Sequence, residues 1–80
     1  MTRLTIYSRP GCHLCEEMKA LVKGVGRSVP FELEEVDITG DEELERLYGL
    51  EIPVLLVNGR KTAKYRIAEA ALRRILAGTA

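Results

Sequence analysis

The sequence predicts an α/β domain built on a mixed four-stranded sheet, with helices on both faces and the element order β-α-β-α-β-β-α. Three observations carry this. Strand-like runs alternate with stretches of helical periodicity through the first half of the chain, which makes the first two strands parallel through a right-handed crossover. Val54 to Val57 is an unbroken apolar run, expected of a strand covered on both faces. Asn58-Gly59 then gives the strongest short hairpin signal in the chain and makes the last two strands antiparallel.

Taken in order, Leu4 and Ile6 alternate with Thr5 and Tyr7, so Arg3 to Tyr7 reads as the first strand, and Pro10-Gly11 turns the chain into a helix. Leu14, Met18, Leu21, Val22 and Val25 recur at helical spacing, with Gly24 and Gly26 as the expected end. Phe31, Leu33, Val36 and Ile38 make the second strand. Its Glu34-Glu35 pair breaks strict alternation and predicts an irregularity or a partly exposed edge. Thr39-Gly40-Asp41-Glu42 has capping-box spacing, and Leu44, Leu47 and Tyr48 define a short amphipathic helix that stops at Gly49. Ile52-Pro53 opens the third strand, and Arg60 to Tyr65 forms the fourth, at the sheet edge. Arg60, Lys64 and Arg66 are expected on one side of it, either as charges that keep the edge from pairing or as a docking surface for an acidic partner. Ala68, Ala71, Leu72, Ile75 and Leu76 line the final helix, with Gly78 as its expected end. Tyr7 reads as a strand residue, and Tyr48 and Tyr65 as packing residues.

Eighty residues with 46% hydrophobic content make one domain, residues 1–80, with a single modest core. Twelve basic and twelve acidic residues balance, so nothing global points to nucleic acid or an anionic membrane. No segment approaches membrane-spanning length, and Met1-Thr2-Arg3-Leu4 runs into a strand without the apolar stretch of a signal peptide. The expected compartment is a reducing cytoplasm.

Cys12 and Cys15 are the only cysteines, in the run Ser8-Arg9-Pro10-Gly11-Cys12-His13-Leu14-Cys15 at the start of the first helix. Two intervening residues put them one helical turn apart, close enough for the sulfurs to meet. As a staple the pair is weak: a loop of about 4 residues is worth roughly 2 kcal/mol at most in the chain-entropy model, against roughly 4.7 kcal/mol for 100 residues. In a reducing compartment such a pair reads as catalytic, redox-sensing or metal-binding. Cys15 shares a helix face with Met18 and Val22, so its sulfur is expected to be sheltered, whereas Cys12 sits at the N-terminal edge and is expected to be exposed. The helix N-terminus favours a Cys12 thiolate and Arg9 adds positive charge, while Glu16 and Glu17 oppose it. His13, beside Cys12, reads either as a solvent-facing residue or as one that tunes the pair.

With this motif opening the first helix and Ile-Pro opening the third strand, the chain resembles the thioredoxin fold in its minimal, glutaredoxin-like form. It is most similar to small bacterial glutaredoxin-like proteins carrying a Cys-His-Leu-Cys motif. The resemblance implies a thiol-disulfide oxidoreductase in which Cys12 is the nucleophile and Cys15 resolves, through a redox-active Cys12–Cys15 disulfide. It further implies a cis Ile52-Pro53 bond lying against the cysteines, and substrate contacts from Arg9, His13, Leu14, Ile52 and Pro53. No bound cofactor or metal is implied. Electrons would come from glutathione or from a donor of the thioredoxin-reductase type, and the partners would be a disulfide-containing protein or small molecule and the redox donor, with the protein acting as a monomer. Glutaredoxins that use glutathione carry an aromatic before the second cysteine, a Gly-Gly pair and then acidic residues. Here Leu14 replaces the aromatic, Ala63-Lys64 stands where Gly-Gly would fall, and Arg66 takes roughly the place of an acid. The competing functions are zinc or iron–sulfur binding by the cysteine pair in a dimer, and a non-catalytic thioredoxin-like interaction module.

Overall fold

The computed structural model describes residues 2–79. It has seven elements: β1 (Arg3–Ser8), α1 (His13–Val25), β2 (Glu32–Asp37), α2 (Glu42–Tyr48), β3 (Val54–Val57), β4 (Arg60–Lys64) and α3 (Glu69–Thr79). The sheet order is β2-β1-β3-β4, with β1 parallel to β2 and antiparallel to β3, and β3 antiparallel to β4. This is the mixed four-stranded α/β architecture read from the sequence.

Alternation along β1 divides the sheet into two faces. Leu4 and Ile6 join Leu55 and Val57 on one face, where they pack with Met18, Val22 and Val25 of α1 and Leu72 and Leu76 of α3. Burying each such side chain contributes roughly 1.5–3 kcal/mol, which fixes both helices to the sheet. Tyr7 points to the other face and stacks on Tyr48 of α2, with ring centroids 4.4 Å apart and planes 12° from parallel. Burial raises the Tyr7 phenol above its ordinary pKa, with the neighbouring Tyr48 and Glu34 adding to the shift. Apart from that stack α2 is lightly held: none of its residues is fully buried, and Leu47 is exposed.

Several local details depart from the sequence reading. α2 is capped by Asp41, whose carboxylate accepts the Leu44 N–H at 3.0 Å; Thr39 instead donates its own N–H to Asp37. That bond holds the Asp37 carboxyl below its usual range. Gly26 caps α1 as expected, with Gly24 one residue inside its end, and Gly78 is the penultimate described residue of α3. β2 is a partly exposed edge, yet it pairs with β1 in unbroken register from Arg3 opposite Glu32 to Ser8 opposite Asp37. The irregularity falls in the β3–β4 hairpin, between Leu55 and Leu56. Asn58 and Gly59 turn that hairpin with φ of 52° and 82°, a primed turn in which both residues are left-handed.

The bulge separates the basic residues that were expected together. Lys61 pairs across from Leu56 and Lys64 across from Val54, so both lie on the α2 side of the sheet and engage the Glu51 carboxylate, Lys64 at 3.5 Å. Arg60, opposite Val57, falls on the α3 side, and Arg66 reaches Glu17 of α1 at 3.0 Å. No single basic face forms on β4. Among the described residues, no helix is long and apolar enough to cross a membrane.

Two outcomes follow from these contacts. A methyl group on Gly49 would run into the Glu45 carbonyl oxygen at the end of α2 and come within 3.3 Å of the Arg9 guanidinium. Gly49→Ala is therefore expected to destabilise the protein by roughly 1–3 kcal/mol in urea unfolding, and a neutral substitution would show that the α2 terminus yields freely. The Glu51 carboxyl is held below its usual range, chiefly by the hydrogen bond from Lys61. A depressed carboxyl stabilises the fold at neutral pH and loses that contribution as pH falls through its folded pKa. Glu51→Gln should thus be less stable than the parent protein near pH 7, with the gap closing below the ordinary glutamate range of about 4.3. A gap that stays constant with pH would contradict this.

Candidate redox site

Three segments converge at one end of the sheet. β1 delivers the chain through Arg9, Pro10 and Gly11 to Cys12; β3 begins at Val54, opposite Tyr7; and β4 ends at Lys64, opposite Val54. Cys12 is the N-cap of α1, with φ of −90° and an extended backbone, and Cys15 lies in the first helical turn. The two sulfurs are joined as a disulfide, with Cα atoms 5.2 Å apart. An extended N-cap followed by a helical turn brings positions i and i+3 together, which is why this spacing at this place permits the bond.

The pair is asymmetric. Cys15 is fully buried on the stripe that includes Met18 and Val22, while Cys12 is partly exposed. The Cys15 backbone N–H donates to Cys12 Sγ at 3.1 Å, and the Cys12 carbonyl accepts the Glu16 N–H. Cys12 thereby takes the capping role that serine or aspartate usually fills, and its sulfur occupies the position where orphan N–H groups and the helix dipole favour negative charge.

The charges around the pair are arranged differently from the sequence reading. Arg9, expected to lend its charge to Cys12 and to substrate, donates to Glu45 of α2, and both side chains are about one third exposed. Glu16 pairs with Lys19 at 3.5 Å and Glu17 with Arg66 at 3.0 Å. The opposing carboxylates are therefore themselves offset. His13 is exposed as the first helical residue, in keeping with its solvent-facing reading, and Leu14 is half-buried.

The Ile52–Pro53 peptide is cis, and Pro53 is buried immediately before Val54. This places the Ile52–Pro53 segment at the sheet end from which the chain enters Cys12. The segment is tethered on both sides: Glu51 N–H donates to the Tyr48 carbonyl at 2.8 Å, and Tyr65 N–H donates to the Pro53 carbonyl at 2.9 Å. Tyr65 is the left-handed residue of this region, with φ of 67°. The backbone position best served by glycine is thus Tyr65, one residue beyond the Ala63-Lys64 pair singled out in the sequence.

A cleft of about 410 Å³ opens beside the motif. Leu14, Met18 and Leu21 of α1 form one wall, and Tyr65 to Ala68 form the other, with the Glu17–Arg66 ion pair bridging them. Sequence reasoning found the cysteines and the Ile-Pro segment. It missed the Arg9–Glu45 and Glu17–Arg66 pairs, which join residues 36 and 49 positions apart and leave no local signal. Among the described residues, no group of three or more His, Cys, Asp or Glu side chains is placed to hold a metal ion.

Comparison with known proteins agrees with this architecture. Residues 3–77 match the family model described as Glutaredoxin-like domain (DUF836). The solution structure of the protein Ne2328 from Nitrosomonas europaea is 36% identical, with a TM-score of 0.80 over 92% of this chain and 89% of that one. The X-ray structure of protein XcR50 from X. campestris is 34% identical, with a TM-score of 0.73 over 94% and 96% of the two chains. A mutant thioredoxin from Halobacterium salinarum, 17% identical with a TM-score of 0.71 over 96% of this chain and 73% of that one, shares the fold. No curated protein matches the chain. A match that spans nearly every described residue, on a thioredoxin fold with its cysteine pair at the start of α1, shows that this chain belongs to the glutaredoxin-like domain family.

Proposed function

We propose that this protein is a thiol-disulfide oxidoreductase that reduces disulfides of proteins or small molecules by dithiol exchange. The observation that carries the reading is the asymmetry of the pair: a partly exposed Cys12 whose sulfur accepts a helix N–H, beside a fully buried Cys15. The Cys12 thiolate attacks one sulfur of the substrate disulfide, forming a Cys12–substrate bond and expelling the other substrate sulfur as a thiolate. The Cys15 thiolate then attacks Cys12 Sγ, expelling the second substrate sulfur and forming the internal disulfide. Two electrons pass from the pair to the substrate, and a donor dithiol restores the pair.

Magnitudes show where such an arrangement helps. A thiol lowered from about 8.5 to about 6.5 has roughly 25-fold more thiolate at pH 7 but loses roughly 8-fold in nucleophilicity, so attack gains only about threefold. A second benefit lies in the return half-cycle, where a donor dithiol first bonded to Cys12 closes its own disulfide and expels the stabilised Cys12 thiolate, the better leaving group. Burial of Cys15 complements this, because only the mixed disulfide on Cys12 lies within its reach.

The two cysteines should therefore behave unequally. Cys12→Ser is expected to abolish disulfide reduction and iodoacetamide labelling at neutral pH. Cys15→Ser should retain a labelled thiol and accumulate mixed disulfides with substrate. Equal labelling of the two sulfurs in the reduced protein would sink the assignment.

The donor is expected to be of the thioredoxin-reductase type rather than glutathione. Arg9 is engaged by Glu45, Arg66 by Glu17, and Tyr65 sets a bulky side chain at the left-handed position. These three residues leave little that is free to hold the carboxylates and amino group of a tripeptide thiol. Steady-state reduction of a small mixed disulfide should run faster with thioredoxin reductase than with glutathione and glutathione reductase. Faster turnover with glutathione, slowed by Arg9→Ala, would reverse this choice of donor.

A further inference from the structure

We propose that Tyr65 is a positioning residue for exchange, a brace that sets the Leu50–Pro53 loop beside the cysteine pair through two hydrogen bonds made by one side chain and its own backbone. The inference rests on the exchange reading above and deepens it. Tyr65 N–H donates to the Pro53 carbonyl at 2.9 Å, and the Tyr65 hydroxyl donates to the Leu50 carbonyl, also at 2.9 Å. One residue thus grips both ends of a four-residue loop that closes on the cis Ile52–Pro53 bond. The same ring lines the cleft that Leu14 of the cysteine motif lines from the opposite wall.

Three features set this arrangement apart from ordinary packing. Tyr65 is left-handed, with φ of 67°, a conformation that an aromatic side chain disfavours and glycine adopts freely. A residue held in that region points to a local demand that outweighs the cost. Tyr65 is 43% exposed, so core burial does not explain its presence. The loop it holds carries Leu50, which is 93% exposed, so core packing does little to restrain that end of the loop, whose tie to α2 is the Glu51 N–H to Tyr48 carbonyl bond. The Glu51 ion pairs with Lys61 and Lys64 add a second restraint between loop and strand, on the α2 side of the sheet. With the carbonyls of Leu50 and Pro53 both fixed by Tyr65, the backbone of Ile52 between them is held in one orientation at the sheet end where Cys12 emerges. A macromolecular substrate that lays an extended segment along this loop depends on that orientation. A small disulfide that meets only Cys12 does not.

The test compares the parent protein with Tyr65→Phe, which removes the hydroxyl bond alone, and Tyr65→Gly, which removes the ring and suits the left-handed backbone. The readouts are kcat and KM for a protein disulfide such as that of insulin, the rate with the small aromatic disulfide dithionitrobenzoate, iodoacetamide labelling of Cys12, and urea unfolding. The brace predicts that KM for the protein disulfide rises roughly two- to tenfold in Tyr65→Phe, the range that one hydrogen bond supports, and at least as much in Tyr65→Gly. Labelling of Cys12 and the small-disulfide rate should stay within about twofold, and Tyr65→Gly should show the KM defect even where its stability equals that of the parent. An unchanged KM in Tyr65→Phe, or equal losses with both substrates, would overturn the role of Tyr65 while leaving exchange intact. Absence of turnover by the parent protein would instead remove the exchange reading, and the brace with it.

Discussion

Burial of one stripe of α1 against the middle of the sheet is the constraint on which the site depends. Met18, Val22 and Val25 pack on Leu4, Ile6, Leu55 and Val57, and the same stripe continues toward the N-terminus as Cys15. Because a helix is a rigid repeat, fixing its later turns fixes its first, so Cys15 is placed under the end of the sheet and Cys12 is left at the cap. The asymmetry of the two sulfurs is therefore a consequence of hydrophobic registration, and no separate device is needed to create it. In a domain of this size, where a single core must both stabilise the fold and aim the reactive groups, the two tasks fall to the same residues.

That shared task explains why so much was legible in the sequence. Apolar periodicity reports burial, and burial of α1 sets the cysteines, so the pattern from Leu14 to Val25 contained both fold and site. The element order, the buried β3 strand and the Asn58-Gly59 turn were legible for the same reason, each being a local pattern with one dominant physical cause. What escaped was non-local or finely balanced. Arg9 and Glu45 meet because α2 lies across the sheet end, and nothing around either residue announces the other. The β3–β4 bulge shifts Lys61 onto the side expected for even-numbered residues, a change that one extra residue in a strand produces without a sequence marker of its own. Asp41 took the cap from Thr39 because either side chain suits the role and the choice depends on a shift of two residues in where the helix starts.

Fold alone does not assign chemistry. The likeness to a thioredoxin at 17% identity establishes the frame, and the glutaredoxin-like family match establishes kinship, but an exchange reading stands on what the frame does to two sulfurs. The relevant facts are the extended N-cap, the N–H aimed at Cys12 Sγ, and a burial difference between two residues three positions apart. A binding module would need none of these.

The charged residues near the site show how little of the local field is left unspent. Arg9 faces Glu45, Glu17 faces Arg66, Glu16 faces Lys19, and Glu51 faces two lysines. Exposed pairs of this kind each contribute between nothing and about 1 kcal/mol to stability, so their main effect here is not to hold the fold. Each pair offsets its own charges, and the polar group bonded to the Cys12 sulfur is the Cys15 N–H at the helix terminus. A dipole fixed by the backbone cannot be removed by a surface substitution, whereas a single guanidinium can. In the proposed exchange, a Cys12 sulfur set at the helix end rather than against Arg9 depends on the same buried stripe that holds α1 to the sheet.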